Sequence, residues 1–198
     1  MMVKERRFSM KRVLLLLAVL LVSCGTVIAQ TNQKNVDAKK AQKEAKKAAE
    51  QAEQMNLYNE AMNAINAKDF VLEADKIIFK RGNFVYVNSN VNFVSMKDDR
   101  ATIQLSFNFA PSGPNGLGGI TVDGTVSGFE MKTDKKGLTT LSMMVQGVAV
   151  SANVTIKMFK GSNQCTATVT PNYNGNRISF VGNLYPTEAS NVFKGRSI

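Results

Sequence analysis

Residues 148–158 read VAVSANVTIKM. Val148, Val150, Ala152, Val154, Ile156 and Met158 are apolar, and Ala149, Ser151, Asn153, Thr155 and Lys157 stand between them. Successive side chains of a strand point to opposite faces, so strict alternation gives one apolar and one wetted face. A helix would scatter the same residues around its circumference. The stretch predicts a half-buried β-strand, and its neighbours repeat the pattern on both sides.

Downstream, Gly161-Ser162-Asn163 is a turn signal into NQCTATVT, where Cys165, Ala167 and Val169 alternate with polar residues. A second turn, Pro171 to Gly175, leads to Ile178, Phe180, Gly182 and Leu184. Upstream lie LTTLSMMVQ at 138–146 and ITVDGTVSGFEM at 120–131, the latter with Gly124 and Gly128 as expected bulges or bends. Ala101, Ile103, Leu105, Phe107 and Phe109 alternate with Thr102, Gln104, Ser106 and Asn108. FVYV at 84–87 and VNFVSM at 91–96 flank the turn signal Asn88-Ser89-Asn90, and Phe70, Leu72 and Ala74 open the series. The tail PTEASNVFKG suggests one short helix, with Thr187 as cap and Gly195 as stop. Short links favour antiparallel neighbours, because parallel strands need long crossovers. The expected fold is mainly β: a single antiparallel barrel or sandwich of about 8–9 strands, preceded by one N-terminal α-helix.

That helix is predicted from Val36 to Ala67. Ala38, Ala41, Ala45, Ala48 and Ala52 recur at spacings of three and four, with lysines and glutamates on the other faces. Alanine buries little area, so residues 30–54 read as a solvated helical spacer, with a weak coiled-coil contact as the alternative. Met55, Tyr58, Ala61, Met62 and Ile65 make a bulkier stripe, expected to dock on the β domain of residues 55–198.

The N-terminus reads as an export signal. Val13–Val22 is VLLLLAVLLV, preceded by Lys11 and Arg12, and Ser23, Cys24, Gly25 and Thr26 interrupt the apolar run before Ala29. A spanning helix needs about 20 predominantly apolar residues, which makes an uncleaved anchor the lesser reading. Met10 is an alternative start to Met1. Two cleavages stay open. Val27-Ile28-Ala29 suits an ordinary signal peptidase and defines a signal of residues 1–29. Leu21-Val22-Ser23-Cys24 suits a lipoprotein signal of residues 1–23, with Cys24 lipidated. Membrane association is expected only through that anchor. The expected location is the periplasm or the outer-membrane-associated lipoprotein pool.

Lys4, Arg6, Arg7, Lys11 and Arg12 against Glu5 carry +4 of the net +10, so the exported part holds +6. Its lysines are scattered in turns without a stacking aromatic stripe, which argues against nucleic acid. The chain has no histidine. Ser-His-Asp and Cys-His catalysis and histidine-bearing metal sites are therefore excluded. Once Cys24 is removed or lipidated, Cys165 has no intramolecular partner, and its strand position makes it a core residue. No cofactor or metal is implied. Asp98-Asp99 beside Lys97 and Arg100 reads as a solvated turn, and Glu73 and Asp75 project from the polar side of a strand. Paired carboxylates run glycoside hydrolysis only at about 5–9.5 Å separation. Met131, Met143, Met144 and Met158 either fill gaps in the core or line an adaptable cavity.

The most unusual stretch is PSGPNGLGGITVDG, from Pro111 to Gly124. Gly113, Gly116, Gly118 and Gly119 crowd it, it lacks the Lys-Ser/Thr ending of a phosphate loop, and it joins two strands. It reads either as a shaped connection needing positive φ or as a ligand- or partner-facing loop carrying Asn115, Gly116, Gly118, Gly119 and Asp123. GPNGLGGIT, with FVLEADKIIF, VNFVSMKDDRATIQLSF and FKG at 193–195, resembles a family of exported Gram-negative bacterial proteins known as domain of unknown function 4251. The resemblance spans roughly residues 57–198. It implies an envelope location and a shared β fold, and brings no activity or site residue. The expected function is a non-enzymatic envelope module that binds a small apolar ligand or an envelope protein, or is structural. The alternative is a carboxylate-dependent hydrolase of envelope glycans.

Overall fold

The computed structural model describes residues 39–107, 114–173 and 175–197. The segment read as an export signal, with Cys24, and also Ala38 and Phe109 lie outside the described residues. The chain divides into two compact units, residues 1–50 and 51–198. In the first, residues 39–50 are helical and exposed throughout. No described helix is long and apolar enough to cross a membrane.

The second unit begins with the rest of that helix (α1, residues 39–67). Tyr58, Ala61, Ala64 and Ile65 are buried, and Met62 packs beside them. The bulky stripe docks as its spacing predicts, except that Met55 stays 39% exposed. Nine strands follow: β1 (Asp69–Phe79), β2 (Phe84–Tyr86), β3 (Phe93–Lys97), β4 (Arg100–Ser106), β5 (Gly119–Thr133), β6 (Leu138–Gly147), β7 (Ser151–Phe159), β8 (Gln164–Pro171) and β9 (Ile178–Pro186). Every pairing is antiparallel, and β1 pairs β9 from Phe70↔Pro186 to Phe79↔Ile178. That last ladder closes the sheet. The architecture is an eight-stranded antiparallel barrel with one extra strand, β2.

β2 and β3 share one edge of β1. β3 pairs Asp69–Glu73 and β2 pairs Lys76–Ile78, on either side of a register shift between Ala74 and Lys76. The Asn88-Ser89-Asn90 signal therefore makes no hairpin. It is a step inside one interrupted strand, formed by a 3-10 turn at Ser89–Val91 that Asn88 caps.

The lumen is filled. Phe70, Leu72, Met96, Leu141, Met143, Ile156, Met158, Phe180 and Leu184 are almost fully buried in one cluster. Cys165 lies among them, as its alternation predicts. Met143 and Met158 fill the core, and Met131 packs against it. Met144 does not: it follows Met143 in β6, so it points outward and lies 3.7 Å from the Gln146 amide. Gly128 has φ +63° and sits in the register shift between Ser127 and Glu130, the expected bulge. Gly124 is no bulge. It pairs regularly with Ala101 and Gly147, where a Cβ would lie 2.7 Å from the Gln146 carbonyl.

In such a meander alternate connections share an end. The helix residues Tyr58, Ala61 and Ile65 close the end that holds the β3–β4, β5–β6 and β7–β8 turns. Lys68, at the helix exit, lies with Nζ 5.1 Å from the centre of the Phe129 ring. The other end, with the β1–β2, β4–β5, β6–β7 and β8–β9 connections, has no such plug among the described residues.

Candidate functional site

The Gly-rich connection has two of the positive φ angles its sequence predicts, Gly116 at +75° and Gly118 at +79°. Gly119 is needed for a different reason: a Cβ there would lie 1.9 Å from the Leu105 carbonyl oxygen. Asn115 is buried, and its amide is engaged at both ends. Nδ2 donates to the Leu105 carbonyl at 3.2 Å and to Thr121 Oγ1 at 3.3 Å, while Oδ1 accepts from the Leu117 and Gly119 backbone at 2.9 and 3.0 Å. Asp123 accepts from Thr102 Oγ1 at 2.6 Å and from Ser197 Oγ, and pairs with Lys194 Nζ at 2.5 Å. Burial raises its pKa. The hydrogen bonds from Lys194, Ser197 and Thr102, with the Lys194 charge, outweigh that and hold it below the ordinary 3.8.

The partner of this loop is the C-terminal tail. The expected helix over 187–195 is a 3-10 turn at Thr187–Ala189, followed by extended chain. Arg196 N–H donates to the Asn115 carbonyl at 3.1 Å, and Phe193 N–H donates to Asn90 at 2.7 Å. Gln104, fully buried on the outer face of β4, donates to the Val91 and Phe193 carbonyls and accepts from Gly195 N–H and Thr121 Oγ1. Gly195 sits where a Cβ would lie 2.7 Å from the Asn115 carbonyl oxygen. The two motifs GPNGLGGIT and FKG, about eighty positions apart, thus hold each other on the barrel wall. Asn115 and Asp123 face the protein's own backbone and tail.

The carboxylates singled out in the sequence lie on separate parts of the barrel. Asp98 and Asp99 form the β3–β4 turn at the plugged end, Asp75 is exposed at the β1 register shift, and Glu73 accepts from Ser190 Oγ at 2.6 Å. Glu60, Asp69 and Glu188 share a concavity of about 360 Å³ beside the helix, with Asp69 paired to Lys97 at 3.8 Å. Among the described residues no three His, Cys, Asp or Glu side chains converge on a metal position. Burial pushes the Cys165 thiol far above its ordinary pKa, which leaves it protonated and unreactive.

The unplugged end is different. A cavity of about 110 Å³ lies just inside it, walled by Ile103, Val122, Ala152, Val169, Ile178 and Phe180. Tyr173 also borders it and is 68% exposed. Val148, which alternation alone would place in β7, stands in the β6–β7 turn at 97% exposure because β7 begins only at Ser151. Phe84 and Tyr86 on β2 are exposed too, in edge-to-face contact at 5.7 Å. The connections at this end contain Lys80, Arg81 and Arg177 and no Asp or Glu. Sequence reading missed this set. Its signal is the absence of acids from every second link, which becomes a pattern only once a meander is assumed.

The family described as domain of unknown function (DUF4251) matches residues 52–184, and the chain belongs to it. The match takes in the Gly-rich loop and stops short of FKG at 193–195, so it is shorter at the C-terminus than the resemblance suggests. The fold is similar to the crystal structure of a DUF4251 family protein from Bacteroides eggerthii DSM 20697, solved at 1.95 Å resolution. That chain shares 43% identity, covers 75% of this chain and 99% of its own, and gives a TM-score of 0.63. No curated protein matches.

Proposed function

We propose that this chain is an exported cell-envelope binding module without enzymatic activity, and that it binds through the unplugged mouth of its barrel. The observation that carries the reading is the apolar cavity of about 110 Å³ at that mouth, bordered by the exposed Tyr173. A large exposed apolar side chain costs solubility unless something covers it, and apolar clefts with few polar groups are the usual form of a ligand site. A dry apolar cavity of about 150 Å³ takes a benzene-sized molecule. The mouth therefore suits the end of an acyl chain or one apolar side chain. Met143 and Met158 fill the core and Met131 packs against it, so the cavity at the mouth stays small. Against the hydrolase reading, Asp75, the Asp98-Asp99 turn and Asp123 lie apart, Asp123 is already bound by Lys194, and Asp69, which shares a concavity with Glu60 and Glu188, is paired with Lys97.

Binding is tested by NMR titration of the exported chain with decanol. Expected shifts cluster at 148–152, 169–173 and 178–180, and Val150→Trp, which crowds the half-open mouth, abolishes them. Shifts confined to α1 or the tail would place the binding surface elsewhere. Export is tested by the mass of the mature protein with metabolic palmitate labelling. A lipidated species beginning at Cys24, or an unlabelled one beginning at Gln30, supports secretion. An intact N-terminus in the cytoplasmic fraction overturns it.

A further inference from the structure

We infer that the ligand of this mouth is a single-chain anionic amphiphile, its charged head held on the outer wall and its chain end in the cavity. The inference rests on the mouth being the binding end, and adds the chemistry of the head. Lys80, Arg81 and Arg177 line one concavity of about 500 Å³, together with Thr168 and Ser179. All three cations are exposed, and among the described residues none of them forms an ion pair. Thr168 and Ser179 are hydrogen-bonded to each other at 3.1 Å. That contact uses one hydroxyl proton and leaves the other free to donate. A carboxylate or phosphate meeting these groups gains charge-assisted bonds that a neutral head cannot form.

The alternation of the strands ties the two sites together. In the β8–β9 ladder Val169 pairs Ile178 and Thr168 pairs Ser179. Val169 and Ile178 turn into the apolar cavity, while Thr168 and Ser179 turn outward into the basic concavity. The two sites are therefore back to back across the last rungs of one ladder. The rim between them is the β8–β9 connection, which carries Tyr173 and Arg177. A head bound outside leaves its chain to cross that rim along Tyr173 and enter the cavity. Neither half is a strong site alone: the cavity is small, and exposed charges are screened by salt. Joined by one chain, each raises the effective concentration of the other.

The test compares monomeric decanoate with decanol on the exported chain, by calorimetry and NMR. Expected is decanoate about tenfold tighter than decanol, the scale of one charge-assisted hydrogen bond. The advantage shrinks as salt rises. The triple variant Lys80→Gln, Arg81→Gln, Arg177→Gln changes only exposed side chains, so the fold survives. It should bring decanoate down to the affinity of decanol and leave decanol unchanged. Equal affinities in the unaltered protein overturn the head site while the mouth reading stands. If neither ligand binds, the mouth reading falls with it. Capture by phosphatidylglycerol vesicles without binding of monomeric decanoate overturns the inference in favour of a bilayer surface.

Discussion

Asn115 directs both ends of its amide inward. It is the residue around which the Gly-rich loop is wound, and each of its four contacts ends on another group of the same barrel. Truncation strands the partly buried Gly119 and Leu117 donors and removes the buried bond to the Leu105 carbonyl. Asn115→Ala is therefore expected to lose about 2–3 kcal/mol in urea unfolding, the penalty for buried polar groups left unpaired. A loss near zero would return the loop to a ligand-facing role. Asp123 gives a prediction in pH. Its folded pKa lies below the ordinary 3.8. The stability it contributes is full above that value and is lost as pH falls through the lower, folded one. Thermal melts should show a gap between the wild type and Asp123→Asn that is constant above about pH 5 and narrows below about pH 4. A gap that widens in acid would mean that Lys194 and Asp123 do not pair. At this scale the sequence was informative about conformation and left the loop's purpose open between a shaped connection and a ligand-facing loop. Gly116 and Gly118 announce their positive φ by being glycine. Asn115 looks like a polar group offered outward, because the Leu105 carbonyl and Thr121 hydroxyl that take its amide protons belong to the flanking strands.

The strands were legible because their signal is local. Period-two alternation places β4 through β9 within a few residues, and turn residues mark most of the links. Errors fall where partners are remote. Val148 keeps the alternation yet sits in a turn, since β7 starts with the Ser151↔Gln146 pair. The tail has a helix cap, helix formers and a stop glycine, yet runs extended. Its backbone bonds go to Asn90, Gln104 and Asn115, and those partners outcompete a marginal isolated helix. Removing residues 191–198 tests this. It uncovers Gln104 and the Asn115 carbonyl, and it deletes Lys194 and Ser197 from Asp123. Hydrogen exchange should accelerate at 104–106 and 115–121, with protection in β7 and β8 retained. Unchanged exchange at 104–106 would show that the tail covers nothing of consequence.

Closure is the property of the whole molecule that no window of sequence carries. A sandwich and a barrel share the same alternation, and the two are separated here by one ladder between β1 and β9, about a hundred residues apart. The cavity and basic concavity depend on that closure, because β9 lines both and β1 completes the second through the turn at Lys80 and Arg81. Gly182 marks the tightest approach in the ladder. It is buried opposite Ala74, beside the register shift, and a Cβ there would lie 1.9 Å from the Glu73 carbonyl oxygen. The obstacle is backbone, so no rotamer change relieves it. Gly182→Ala must either push β9 from β1 or break the local bonds, and both open the barrel at the seam where its first strand meets its last. Because a closed sheet has no free edge, the loss is not confined to two strands. The expected result is a fall of several kcal/mol, of the order of an overpacked core or worse. Amide protection should drop in β4 to β6 as well as in β1 and β9, within a single unfolding transition. Loss of protection restricted to β1 and β9 would mean that the remaining strands stand as an independent sheet, and that closure shapes the mouth without holding the fold.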